Sequence, residues 1–156
     1  MSQPPQVNAE ILDNIQRHGW HVMLLQANEE GPAIAYTIGL YQHFAHPELV
    51  ITGLKMPVMH SLLNYFAEQV QQGRCFRPGD VDTQVMKQGH CRFESVAIQY
   101  YYRHLGFARW FYRDEDDFPA LQCLWPDGAG RFPDQPDFDP QYAQRQWLFT
   151  DGRVGD

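Results

Sequence analysis

Five residues, Asn28-Glu29-Glu30-Gly31-Pro32, restrict the fold more than any other stretch. They separate two apolar runs, residues 21–27 and 33–40, and a connection this tight between two strands permits only antiparallel pairing. A doubly wound parallel sheet needs a crossover of about a dozen residues or more at this point, which the chain does not offer. The first two strands therefore form a hairpin.

The other elements follow from spacing and punctuation. Asn8 caps a helix over residues 8–17 with Ile11, Leu12 and Ile15 on one face, and Gly19 stops it. Residues 41–47 read as an aromatic, histidine-bearing loop. Residues 48–54 form a third strand around the β-formers Leu49-Val50-Ile51-Thr52. Pro57 suits the first turn of a helix reaching residue 72, with Val58, Leu62, Leu63, Phe66 and Val70 on its apolar side and Gly73 at its end. Residues 74–86 hold two short strands around Pro78-Gly79-Asp80, and residues 90–97 another strand. In residues 98–112 the aromatic content favours strand, but the spacing of Tyr101, Leu105, Ala108 and Tyr112 selects helix. Residues 119–125 give the last strand, 128–140 a glycine- and proline-rich loop, and 141–149 a short helix. The class is α+β: a small, mostly antiparallel, split-barrel-like sheet flanked by helices. One domain spans residues 8–149, with flexible termini at 1–7 and 150–156, and 156 residues suffice to bury a core without a metal or disulfide.

Charge and cysteine usage narrow the function classes. A formal charge of -7 argues against nucleic acid, whose phosphates call for a net basic face. The same charge suits a basic protein partner. Cys75, Cys91 and Cys123 are an odd set without a CxxC pair, the pattern of buried, reduced thiols in a cytoplasmic protein. The polar start of the chain is no signal peptide, and no apolar run reaches the roughly 18 residues of a membrane span.

Four phrases stand in order: His18-Gly19-Trp20-His21-Val22, Ala35-Tyr36-Thr37-Ile38-Gly39-Leu40, His46-Pro47-Glu48-Leu49, and Leu124-Trp125-Pro126-Asp127 followed by Gly130-Arg131-Phe132-Pro133. Together they resemble a bacterial domain-of-unknown-function family, number 4262 in its series, over residues 10–140. That resemblance implies a bacterial cytoplasmic protein and no particular activity. In element order, and in the passage from Tyr36-Thr37-Ile38-Gly39 to His46-Pro47-Glu48-Leu49, the chain also resembles the split-barrel flavin-binding proteins, such as flavin reductases and pyridoxamine-phosphate oxidases. That second likeness implies FMN as a cofactor near this passage.

The candidate ligand-binding residues are Trp20, His21, Tyr36, Thr37, His46, Glu48, Trp125, Asp127 and Arg131. Trp20, Tyr36, Tyr41, Trp110 and Trp125 could stack on a conjugated ring, or simply fill the core. Gly128-Ala129-Gly130-Arg131 offers backbone N–H groups and a guanidinium to an anion, with Thr37 and Arg92 as further phosphate contacts. His18, His21, His46 and Glu48 could meet around a metal only if two loops converge. Cys91 beside His90 and Ser61 beside His60 cannot act as nucleophile–base pairs, because neighbours diverge on strands and helices. Asp114 to Asp117 reads as a solvated turn or a docking patch for a basic surface. Three functions remain open: a small-ligand or cofactor-binding module, an immunity-type protein that binds a toxin, and a histidine-based metal enzyme. The first requires His21, Tyr36, Thr37, His46 and Trp125 to converge on one recess.

Overall fold

Helix α1 (Pro5–His18) starts on a proline, whose missing N–H costs nothing in a first turn. It thus begins inside the stretch expected to be loose. The computed structural model describes residues 5–85, 90–113 and 115–150. Ile11 and Ile15, four apart, are the buried face of α1, and the amide of Gly19 closes the helix on the Ile15 carbonyl at 2.8 Å.

The hairpin forms as the turn dictates. Strands β1 (His21–Leu25) and β2 (Ile34–Ile38) pair antiparallel, with His21 opposite Ile38 and Leu25 opposite Ile34. Strand β3 (Glu48–Thr52) lies antiparallel beside β2. Strand β6 (Ala120–Leu124) then lies parallel to β3, with Glu48 opposite Ala120. Strand β5 (Cys91–Ser95) is antiparallel to β6, and the short β4 (Val81–Asp82) antiparallel to β5. The order is β1-β2-β3-β6-β5-β4, two antiparallel trios joined by one parallel seam.

The sheet is open and mixed; it does not close as a split barrel. Helices cover both of its faces, so there are two cores rather than one barrel interior. Helix α3 (Met56–Gln71) lays Leu63, Phe66 and Ala67 against Ala35, Leu49, Ile51, Phe93 and Cys123. On the opposite face, Ile11 and Ile15 of α1 join Tyr101 and Ala108 over Tyr36, Ile38, Val50 and Ala120. Every residue of β2, β3 and β6 is buried. That explains their continuous apolar runs, since a strand covered on both sides has no polar face to alternate with. Each large side chain fully removed from water, such as Phe66 or Ile51, contributes about 2 kcal/mol.

Four local expectations change. Residues 41–47 are not all loop: they contain helix α2 (Leu40–Phe44). The stretch 98–112 is helical but broken, as a 3-10 turn (Ile98–Tyr100), α4 (Tyr101–His104) and α5 (Gly106–Phe111). Of the two strands expected in 74–86, only β4 is present among the described residues; Gly79 instead donates to the Phe93 carbonyl at 2.7 Å. The last helix, α6, covers only Pro140–Ala143, with Asp139 accepting from the Gln141 amide as its cap. The expected flexible ends at 1–4 and 151–156 lie outside the described residues. Among the described residues, no helix is long and apolar enough to cross a membrane.

Candidate functional site

The candidate residues divide between the two ends of the sheet. Thr37, His46 and Glu48 gather where β3 begins. Trp125, Asp127 and Arg131 follow the far end of β6, where the Trp125 indole donates to the Thr52 carbonyl at the end of β3 at 2.8 Å. With Glu48 and Ala120 in register, the length of the strands stands between the two groups. Tyr36 is fully buried, and its hydroxyl accepts from the Phe107 amide at 3.0 Å. His21, Tyr36, Thr37, His46 and Trp125 therefore do not converge on one recess.

Glu48 is buried at 1 % exposure, and five donors converge on its carboxylate. It receives the Thr37 hydroxyl at 2.7 Å, the amides of Gly39, Leu40 and Tyr41 at 2.9, 3.2 and 3.2 Å, and the Tyr112 hydroxyl. Those three amides are the unsatisfied first turn of α2, which no side chain of its own caps. Glu48 thus acts as a remote cap, favoured by the positive end of the helix dipole. Burial pushes its carboxyl above the usual range, and the bonds from Tyr112, Thr37, Gly39 and Tyr41 pull it back. Gly39 makes the approach possible: its φ is 114°, and a Cβ there would stand 2.7 Å from the Gly19 carbonyl oxygen.

Other candidates are likewise committed to the protein itself. His46 accepts the Phe76 amide on Nε2 at 3.0 Å and bonds the Pro47 carbonyl through Nδ1 at 2.8 Å. Burial lowers its pKa. The backbone N–H groups of Ala129 and Arg131 both reach Asp127 Oδ1 at 2.9 Å, and Asp139 donates to Oδ2 at 3.0 Å. The anion held by that glycine-rich turn is thus the chain's own Asp127. Arg92 is bound to Glu94 and Asp134 at 2.9 and 2.5 Å and lies over the Phe132 ring. Although it lines a cleft of about 450 Å³, its charge is already matched. Tyr41 packs edge-on against Tyr112, and Trp110 packs against the α1-side core. In the acidic turn, Asp116 pairs with Arg109 at 2.5 Å, and Asp114 lies outside the described residues. Among the described residues, no group of three or more His, Cys, Asp or Glu side chains could hold a metal ion.

One cleft differs. It has a volume of about 750 Å³ and lies along β1, between α1 on one face of the sheet and α3 on the other. Trp20 and His21, two of the candidate ligand-binding residues, line it. Asn14, Asn64, Glu10 and Glu68 join them, none of which a motif singles out, together with His60, which the sequence offers only as a neighbour of Ser61. A signal for them exists: Glu10, Asn14 and His18 recur every four residues on α1, and His60, Asn64 and Glu68 every four on α3, so each trio forms one helical stripe.

Hydrogen bonds orient the cleft side chains. The Trp20 indole donates to Asn64 Oδ1 at 2.9 Å, and indole nitrogen can only donate. The Asn64 amide nitrogen is therefore the atom 3.2 Å from His60 Nε2, so Nε2 accepts and the neutral ring carries its proton on Nδ1. On the other wall, Asn14 Nδ2 meets His21 Nδ1 at 2.9 Å, which puts the neutral ring's proton on Nε2. Burial lowers the pKa of His21; Glu10 opposes that shift and His60 adds to it. Among the described residues the lining holds no hydroxyl or thiol, and its imidazoles, amides and carboxylates suit hydrogen bonding and proton transfer.

No curated protein and no solved structure matches the chain significantly. A family model does match, over residues 14–139, from the second half of α1 through the Asp127 turn to the threshold of α6. That span takes in all four phrases noted in the sequence and covers most of the chain, so the protein belongs to the family described as Domain of unknown function (DUF4262).

Proposed function

We propose that the protein is a binding module whose ligand occupies the α1/β1/α3 cleft. The observation that carries this reading is the pair of fixed imidazoles. The Trp20–Asn64–His60 relay and the Asn14–His21 bond leave one ring N–H of each histidine without a partner among the described residues. Such pre-oriented polar groups in one cleft with the Trp20 ring suit recognition of a polar ligand. An FMN phosphate would meet Glu10 and Glu68 here, with Arg17 already paired to Asp13 at 3.2 Å, so the cofactor version of the reading draws little from this site. The runner-up, an immunity-type role against a basic protein, draws on the same acidic walls. All three cysteines are free thiols, Cys91 and Cys123 buried as expected and Cys75 exposed instead, and free thiols fit a reducing, cytoplasmic setting.

A thermal-shift panel of sugars, nucleosides, FMN and short peptides tests the site. A stabilising compound is expected to lose its effect in both His21→Ala and His60→Ala, and to keep it in Arg92→Ala in the other cleft. Stabilisation that survives both histidine substitutions would place the ligand elsewhere and end this reading.

A further inference from the structure

The β1 backbone itself names the class of ligand, on the premise that the cleft is the binding site. Among the described residues β1 pairs only with β2. The opposite side of His21–Leu25 therefore presents unpaired N–H and C=O groups, a template for another strand. Val22 and Leu24 of this edge line the cleft. Side chains along β1 alternate between the two flanking helices: His21 bonds Asn14 of α1, Val22 and Leu24 pack in the α3-side core, and Met23 and Leu25 pack on the α1 side.

A strand added about 4.8 Å from β1 would obey the same alternation, turning successive side chains toward α1 and toward α3. Each wall offers a carboxylate there, Glu10 from α1 and Glu68 from α3. Both are exposed, and neither has an ion-pair partner among the described residues. The guanidinium in the cleft, Arg17, is held by Asp13. A second copy of this chain fits badly, because its own β1 is recessed between the same two helices and it carries the same charge of -7.

We propose that the β1 edge takes an extended, basic segment of another polypeptide by strand addition. Its backbone bonds to His21–Leu25, and successive Lys or Arg side chains, turned to opposite sides of the added strand, face Glu10 and Glu68. Such binding weakens with salt, because the walls are solvent-exposed, and depends on free peptide N–H groups in the ligand.

Three synthetic octapeptides added to the full-length protein test this: a Lys-Val peptide of repeat Lys-Lys-Val-Val, a Glu-Val peptide of repeat Glu-Glu-Val-Val, and the Lys-Val peptide N-methylated at every amide, so that neither edge can donate to β1. The Lys-Val peptide is expected to bind and to slow hydrogen exchange of the β1 amides. The N-methylated and Glu-Val peptides are expected not to bind. A Glu10→Gln/Glu68→Gln double variant should weaken Lys-Val binding about tenfold, and its unchanged melting temperature would show that it folds. Equal binding of the Glu-Val or N-methylated peptide overturns the proposal, as does protection of β1 through dimerisation of the protein alone. A peptide that shifts the His21 and His60 ring signals but leaves β1 exchange unchanged refutes strand addition and keeps the cleft as a site. No change in either signal refutes strand addition, and the thermal-shift panel with His21→Ala and His60→Ala then decides the cleft by itself.

Discussion

The Glu48 end of the sheet and the β1 cleft are equally rich in polar groups and use them in opposite ways. Around Glu48, two hydroxyls and three amides all point at one carboxylate, and nothing is left over. Along β1, Asn14, His21, His60 and Asn64 bond one another in pairs and keep further donors without protein partners among the described residues. The first arrangement holds a fold together, and the second can hold something else. The count of polar residues does not separate the two. What separates them is where the unspent donors and acceptors face.

Substitutions measure this contrast. Glu48→Ala should cost roughly 3 kcal/mol or more in chemical denaturation, since it strips the cap from α2 and leaves buried donors unpaired. A loss below about 1 kcal/mol would mean that the Glu48 end is not the committed structure described. Trp20→Phe keeps a ring in the core and removes the donor to Asn64, so about 1 kcal/mol is expected. Histidine 15N shifts should then show His60 released from its single tautomer; a ring that keeps its proton on Nδ1 would break the relay.

Acidification gives a smaller, signed effect. Burial lowers the pKa of His21, His46 and His104, so below about pH 6.5 the unfolded chain takes up protons that the folded one refuses. Stability therefore falls as pH drops through that window. Glu48, shifted upward, acts the other way: it adds stability as pH falls and loses it as pH rises through its folded-state pKa. His46→Gln can still accept the Phe76 amide but does not titrate, so its stability should decline less between pH 7 and pH 5 than that of the parent. An unchanged slope would remove His46 from the account. The smallest effect belongs to the cleft wall: Glu68→Gln should change stability by less than about 0.5 kcal/mol, being exposed and unpaired among the described residues.

Much of the frame was legible because it rests on local rules. The Asn28–Gly31 bridge forms where the turn residues predict it, and the bounds of α3 fall within a residue of those expected, with Leu62, Leu63, Phe66 and Val70 buried but Val58 exposed and Met59 buried in its stead. What escaped depends on partners distant in the chain. Helix α2 exists because Glu48, outside it, caps it from the next strand. Residues 144–149 are not helical because their polar groups go to β6 and its end: Gln146 exchanges hydrogen bonds with the Trp125 backbone, and the Phe149 amide donates to Gln122. In the site, Trp20 and His21 stood out through a familiar phrase. Asn14, His60, Asn64 and Glu68 lay on the outer faces of two helices, where polar residues are ordinary until a sheet edge is known to run between them.

The parallel seam between β3 and β6 has a consequence for how the molecule assembles. Each antiparallel trio draws its strands from one region of the chain, so its contacts are comparatively local. The seam must bring residues 48–50 to residues 120–122. Closing that long loop is the entropically demanding step, and topology of this kind sets folding speed more than final stability. Helix α3, besides covering one face, is thus a tether between two halves that zip separately and dock sideways. Extra residues spliced into the tether's exposed ends would slow the docking while costing little at equilibrium, about 0.6 kcal/mol for each doubling of loop length.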